Sequence, residues 1–270
     1  MLPLLYRYDF GAPVWRICLD TVQSRLAIEV RDAEVLLAHF FSLDARIFNL
    51  LPIQLENTLT WWLGLEDAHD GLVFLHGYGD QQMGEHKGIR AFAVPANTMQ
   101  WEQDTLRFYG VGEQGLLVQP ADAATSFKVV NYRTGAETGE VISQQQVVDA
   151  IAGFHEERYK NCIFPMHYRQ GEAYFTMVQE FLEAQLNIKA TGAIEYAETE
   201  KFIISSYYEK DREDKLNNGL TVFDLRGNLY LHVTLGTRLK GIGTDTFFIF
   251  GKNLYFIQDR NSLVVHSLHF

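Results

Sequence analysis

Two stretches that lie far apart in this chain repeat one another. Gly88-Ile-Arg-Ala-Phe-Ala-Val-Pro-Ala-Asn97 and Gly219-Leu-Thr-Val-Phe-Asp-Leu-Arg-Gly-Asn228 align without a gap. Each opens on glycine, alternates around a shared phenylalanine (Phe92, Phe223) and reaches a turn asparagine before a further strand. Leu72-Val-Phe-Leu75 and Phe202-Ile-Ile-Ser205 precede them, 16 and 17 residues before Gly88 and Gly219. Asn131-Tyr-Arg-Thr-Gly135 repeats the turn in a third place. A strand–loop–strand–turn–strand unit of roughly 40 residues cannot bury its apolar face alone, and stacked copies can. The repeat therefore directs the chain towards an all-β array.

The remaining runs extend this grammar. Val14–Asp20, Arg25–Val30 and Glu34–Ser42 form a first group of short β-rich runs. Trp61–Leu65, Gly71–His76, Gly88–Val94 and Thr98–Trp101 form a second, and Phe108–Val111, Leu116–Gln119, Phe127–Tyr132 and Glu140–Ile142 a third. Turn residues separate them at close intervals, as in sandwiches, barrels and propellers. Phe247–Phe250, Leu254–Gln258 and Leu263–Phe270 close the chain, one strand short of a full unit. Leu4–Phe10 is a lone strand at the other end. Pairing it beside Leu263–Phe270 would remove exposed strand edges. The expected fold is a β-propeller of about five blades in a single domain, 1–270, closed by an N-terminal strand. Its blades are 14–52, 58–104, 105–142, about 190–236, and 243–270 completed by 4–10. An irregular β-sandwich is the alternative.

The period changes between about 143 and 190, where a helical insertion is expected. Ser143 and Gln146 have capping-box spacing, and Val147, Ile151, Phe154 and Arg158 fall on one face of a helix over 144–159. Phe175, Val178, Leu182 and Leu186 recur at helical steps from 172 to 187. Packing of these stripes within the chain is favoured over a partner-binding role, because each stripe needs burial.

The blade pattern resembles quinoprotein-like and WD40-like propellers in Ala91–Trp101 and Val129–Glu140. More narrowly, the chain resembles an uncharacterised bacterial propeller family of unknown function. The segments that carry this are Trp61-Trp-Leu-Gly-Leu65, His76-Gly-Tyr78, His86-Lys-Gly88, Pro165-Met-His-Tyr168 and Gly241-Ile-Gly-Thr-Asp-Thr-Phe-Phe248. The match to quinoprotein dehydrogenases stops at the repeat. There is no adjacent cysteine pair, so the resemblance implies no quinone and no cofactor is expected.

Composition narrows the function classes. The 270 residues are 47% hydrophobic and 13% aromatic, enough for a core and incompatible with wholesale disorder. A formal charge of −11 with no Lys/Arg cluster argues against nucleic acid. The N-terminus lacks a basic leader and no run approaches a membrane span, so a cytoplasmic protein with no membrane partner is expected. Cys18 and Cys162 form no C-x-x-C pair and read as reduced, buried thiols.

The densest polar stretch is 76–88. His76, Tyr78, Asp80, Glu85, His86 and Lys87 are the candidate ligand-binding residues, placed on a rim loop between two blade strands. Two imidazoles and a carboxylate are zinc-type ligands. The spacing matches no helical H-x-x-x-H site, and the glycines suit a hairpin, so a solvated loop is favoured and no metal is assigned. The charged run Glu209–Lys215 holds the equivalent place in a later blade and reads as a solvated edge. Trp61 and Trp62 suggest an aromatic platform, although successive strand residues face opposite ways and core packing is favoured. His167 has no Ser or Cys elbow beside it. Asp67, Asp70, Asp122 and Asp245 are glycosidase-type carboxylates with no spacing that singles out a pair. No catalytic residue is assigned. The favoured function is a non-catalytic binding module for an unidentified protein or small molecule. The alternative is a hydrolase or lyase acting on a carbohydrate or other small molecule.

Overall fold

The computed structural model describes residues 1–55, 60–80, 84–121 and 126–269. The chain divides into two compact units, Ala12–Asn161 and Met1–Gly11 together with Cys162–Phe270.

The first strand is β1 (Leu4–Asp9). Three antiparallel four-stranded meanders then follow in sequence order. The first comprises β2 (Val14–Asp20), β3 (Arg25–Asp32), β4 (Leu37–Asp44) and β5 (Asn49–Pro52). The second comprises β6 (Leu63–His69), β7 (Leu72–Asp80), β8 (Glu85–Ala93) and β9 (Thr98–Gln103). The third comprises β10 (Leu106–Gly112), β11 (Gly115–Pro120), β12 (Phe127–Val130) and β13 (Glu137–Ile142). Their cores are continuous hydrophobic clusters. Ala27, Phe40, Leu63, Leu65 and Leu75 join the first two sheets, and Phe74, Ile89, Trp101, Leu116 and Val130 join the second to the third.

Turns are set by side chains that take up backbone N–H groups. Asp20 accepts from Val22 and Gln23 at 3.1 Å each, and also from Asp70 and Gly71 of the next sheet at 3.0 and 2.7 Å. Asn131 accepts from Arg133 and Thr134, which ends β12 at Val130 and makes the expected turn. Gly135 closes that turn at φ +67°, and a Cβ there would overlap the Trp101 ring, so only glycine fits. Trp101 in turn donates to the Tyr132 carbonyl at 2.9 Å.

One strand begins later than the sequence suggests. Thr60–Trp62 is a short 3-10 turn, and β6 starts at Leu63. The Arg31 guanidinium takes the carbonyls of Trp61 and Leu63, at 3.0 and 2.7 Å. A cation on the preceding sheet thus fixes this backbone.

The helix α1 (Gln144–Arg158) carries the capping box that its sequence predicts. Ser143 accepts from the Gln146 N–H at 3.3 Å, and the Gln146 side chain accepts from the Ser143 N–H at 2.9 Å. Val147 is fully buried against Leu117, Phe127 and Val129. Arg158, on the same face, reaches back to β6. It holds Asp67 with two bonds of 2.6 and 2.7 Å and donates to the carbonyls of Leu19 and Ala68.

The other unit contains two sheets. After β14 (Cys162–Ile163) and β15 (Met166–Arg169) comes α2 (Ala173–Leu186), then β16 (Ala193–Glu198), β17 (Phe202–Lys210), β18 (Leu216–Asp224) and β19 (Leu229–Leu239). Strands β15 to β19 form one five-stranded sheet, against which α2 packs with Phe175, Val178, Leu182 and Leu186. The last strands, β20 (Phe247–Phe250), β21 (Asn253–Gln258) and β22 (Ser262–Ser267), form the other sheet, in the order β1-β22-β21-β20-β14. The first strand lies antiparallel on the last, with Arg7 opposite Val264 and Tyr8 opposite Leu263. The fold is therefore all-β, with five separate antiparallel sheets, a propeller-like closure and two helical insertions. The segment expected as one insertion holds two helices, one in each unit, separated by strands that join sheets of their own. Among the described residues, no helix is long and apolar enough to cross a membrane.

The repeat seen in the sequence occupies matching places. Gly88 and Gly219 lie in β8 and β18, each paired with the strand that precedes it. The charged turn after β17 is organised by its own residues. Asp211 accepts from the N–H groups of Glu213 and Lys215, and Lys210 pairs with Asp214 at 2.7 Å. It is a solvated turn, as its mixed charges suggest.

A buried ion pair in the first sheet makes a pH prediction. Asp44 accepts from Arg46 at 2.8 and 3.2 Å and pairs with Arg25 at 3.2 Å. The Arg46 guanidinium outweighs burial and holds the carboxyl down at about 2. A lowered pKa means that Asp44 lends full stability above the ordinary carboxylate range and loses it between about pH 4 and about pH 2. Urea midpoints of the parent chain and Asp44→Asn are therefore expected to differ at neutral pH and to converge across that window.

Candidate functional site

The candidate site lies on one face of the second sheet, within the unit Ala12–Asn161, and two irregularities in strand pairing create it. Leu65 pairs with Leu75 and Asp67 with Phe74, so Glu66 is an extra residue in a β-bulge. Leu75 pairs with Arg90 and Gly77 with Lys87, so Gly88 and Ile89 both stand across from His76. Bulges re-aim side chains, and they are frequent beside active sites. Here they turn Glu66, His76 and His86 towards one point. Ligand-type atoms of the three lie within 4.8 Å of one another.

The Glu66 carboxylate serves both imidazoles with one oxygen. Its Oε1 lies 2.9 Å from Nδ1 of His86 and 3.0 Å from Nδ1 of His76. The His86 contact is a hydrogen bond, whereas the His76 nitrogen is close to the carboxylate but out of line with it. His76 is 3% exposed, its Nδ1 is met by this carboxylate alone, and its Nε2 has no hydrogen-bond partner among the described residues. The two imidazoles stack, 3.6 Å between centroids and 11° between planes. Glu66 is also buried. Burial opposes its charged form, but the imidazoles outweigh burial and draw the carboxyl below its ordinary range. The second carboxylate oxygen, Oε2, faces Arg16 of β2 at 3.8 Å. Cys18 donates its thiol to the Glu66 carbonyl at 3.6 Å, and burial pushes that thiol up to about 12, which keeps it protonated and unreactive.

The floor beneath His76 is Gly64, and a Cβ there would overlap the imidazole. Replacing Gly64 with alanine is expected to displace His76 and to cost about 1–3 kcal/mol of stability through overpacking. Urea denaturation combined with a metal titration would register both effects.

The sequence-predicted residues separate clearly. His76 and Tyr78 lie in β7 and His86 in β8, so they stand on paired strands and not on the expected rim loop. Tyr78 pairs directly with His86 and meets both imidazoles edge-on, at 5.0 and 5.5 Å. Glu85 turns away to an ion pair with Arg107 of β10. Lys87 packs over Gly79, on the opposite face from His86. Asp80 pairs through its backbone with Glu85 at the strand end. Glu66 was missed altogether. Trp62 stands edge-on to Tyr78 at 6.1 Å and extends the aromatic border of the site. Trp61 stacks under the Arg31 guanidinium.

Among the described residues, the other candidate carboxylates form no catalytic pair. Asp67 is held by Arg158, and Asp70 by Arg133 and Gln23. Asp245 belongs to the other unit, where its N–H and that of Thr246 donate to buried Glu195. Asp122 lies outside the described residues. His167 sits 3.9 Å from Glu195, a carboxylate that holds a loop. Neither Cys18 nor Cys162 is in a disulfide.

The cluster corrects the expectation of a non-catalytic binding module. A buried carboxylate that faces two imidazoles, one of them with an unpartnered nitrogen among the described residues, has the composition of a reaction site and is costly for a surface that only docks a partner.

Comparison with known proteins gives distant matches. No curated protein matches this chain. The WD40 domain of Neurospora crassa Pan2 is 10% identical over 98% of this chain and 96% of its own, with a TM-score of 0.32. An exo-beta-1,3-galactanase from Phanerochaete chrysosporium is 8% identical over 98% of this chain and 65% of its own, with a TM-score of 0.31. A Bacteroides vulgatus member of the duf4221 family is 10% identical over 99% of this chain and 97% of its own, with a TM-score of 0.25. The expectation was an uncharacterised propeller family with quinoprotein-like and WD40-like repeats; the matches include a WD40 domain and a family of unknown function, and the specific quinoprotein-like relationship is not supported. Residues 19–101, which include Glu66, His76 and His86, match a family described as a domain of unknown function, DUF4905.

Proposed function

We propose that the chain is a divalent-metal-dependent hydrolase or lyase acting on a carbohydrate or other small molecule, with Glu66, His76 and His86 as the metal ligands. The observation that carries this reading is His76, a buried imidazole whose Nε2 has no hydrogen-bond partner among the described residues and whose Nδ1 meets the Glu66 carboxylate at 3.0 Å beside a second imidazole. Buried polar groups are almost always satisfied, and one that is not calls for an explanation such as an ion. Two imidazoles and one carboxylate are a zinc-type donor set that leaves a coordination position for water, and zinc lowers the pKa of that water to about 7. Tyr78 and Trp62 border the cluster with aromatic surface that suits a sugar ring.

The test uses the full chain, loaded with zinc, dialysed and assayed for metal by mass spectrometry. The same preparation is then offered p-nitrophenyl glycosides, esters and phosphates, with and without chelator. Retained zinc, and turnover that is lost with chelator and in Glu66→Gln, are the expected results. A chain that retains no zinc, or turnover indifferent to both changes, overturns the reading.

A further inference from the structure

One charged group at the border of the cluster is only partly engaged. Arg16 stands on β2, bonds the Cys18 side chain and faces Glu66 Oε2 with Nη1 at 3.8 Å, and its side chain is 44% exposed. The next carboxylate along β6, Asp67, is already occupied by Arg158 at 2.6 and 2.7 Å. Glu66 itself directs Oε1 to the imidazoles. A guanidinium carries five N–H donors, which Cys18 and Glu66 do not exhaust, so Arg16 keeps donors for a group that arrives from solvent at the edge of the site.

Charge bookkeeping points the same way. A divalent ion, one carboxylate and one guanidinium sum to a positive centre, set in a chain whose net charge is −11. A cation and a guanidinium side by side suit an oxyanion, because the planar fork of arginine matches carboxylate and phosphate oxygens two at a time. The aromatic border at Tyr78 and Trp62 accommodates a ring attached to that oxyanion.

We infer that the substrate is a small anionic molecule whose carboxylate or phosphate group bridges the metal and Arg16, which makes Arg16 the residue that selects charged over neutral sugars. This rests on the metal reading above and extends it to a substrate class.

The experiment loads the full chain with cobalt, whose visible absorption reports its coordination, and titrates D-glucuronate, glucose 6-phosphate and neutral methyl glucoside. An anionic sugar is expected to shift the spectrum while methyl glucoside does not, and the responding anion identifies carboxylate or phosphate. Arg16→Ala is expected to bind cobalt as the parent does and to bind that anion about ten- to a hundredfold more weakly. Arg16→Lys is expected to recover part of the loss, since it restores charge without the fork. Equal responses to neutral and anionic sugars, an Arg16→Ala affinity equal to the parent's, or cobalt uptake without any anion response overturns this inference alone. Failure to take up cobalt removes the metal reading and this inference together.

Discussion

Zinc at a hundred times its dissociation constant is expected to raise the unfolding free energy of the parent chain by about 2.7 kcal/mol, and that of His76→Leu not at all. Without metal the same variant changes little. His76 Nε2 is buried without a partner among the described residues, and a buried polar group in that state costs about 1–3 kcal/mol. Leucine removes that cost but takes one imidazole from buried Glu66, which keeps its bond to His86. The two effects oppose one another, so metal-free His76→Leu is expected to lie within about 1 kcal/mol of the parent in urea denaturation. A purely structural histidine would leave parent and variant equally indifferent to zinc, so paired urea curves with and without zinc separate the two roles. Affinity should fall by more than about a hundredfold, the upper range for losing a mere outer-shell partner.

Arg158→Met is expected to destabilise the chain by about 3–5 kcal/mol, the usual cost of stripping one partner from a buried ion pair. Arg158 is buried, and it ties the end of α1 to Asp67, to the Leu19 carbonyl and to the Ala68 carbonyl. Removing it leaves Asp67 with an uncompensated charge and takes a donor from two carbonyls. Most of the penalty lies in that stranded carboxylate, so Arg158→Met combined with Asp67→Leu is expected to recover much of the loss. Shifts in urea midpoint for the two singles and the double give the coupling. A double variant as unstable as the sum of the singles would place the cost in helix docking and not in charge.

The contrast between these sites shows what the sequence can carry. Blade boundaries were legible because each is marked locally, by an asparagine turn, a glycine or an alternating run. Closure by Leu4–Phe10 was legible because a lone strand and a sheet short of a strand complete one another. The capping box at Ser143 and the apolar stripe of α1 were legible for the same reason, since helix periodicity is a property of neighbours. His76 and His86 stood out as ligand types, but their meeting did not, because it depends on a diagonal contact across β7 and β8 and on the extra residues opposite His76. Glu66 was invisible. It follows the expected run Trp61–Leu65 with no motif to mark it, and the bulge at that position aims it at the histidines. The 3-10 turn at Thr60–Trp62 escaped for a related reason, since Arg31 of another sheet imposes it. Local chemistry is written in the chain; cross-strand register is not.

The pairing of β1 with β22 has a consequence for the order in which the protein can assemble on a ribosome. The unit Ala12–Asn161 is one uninterrupted segment, so all of its strands have emerged before residues 162–270 are made. The other unit joins Met1–Gly11 to Cys162–Phe270, the segments that flank Ala12–Asn161 in sequence. Its opening strand must wait, unsatisfied along one edge, until Ser262–Ser267 has been translated. During that interval Leu4–Asp9 is a nascent segment in search of a neighbour, and the same segment of an adjacent growing chain offers its partners an equal fit. Exchange of this strand between neighbouring chains is therefore the misassembly that this topology invites.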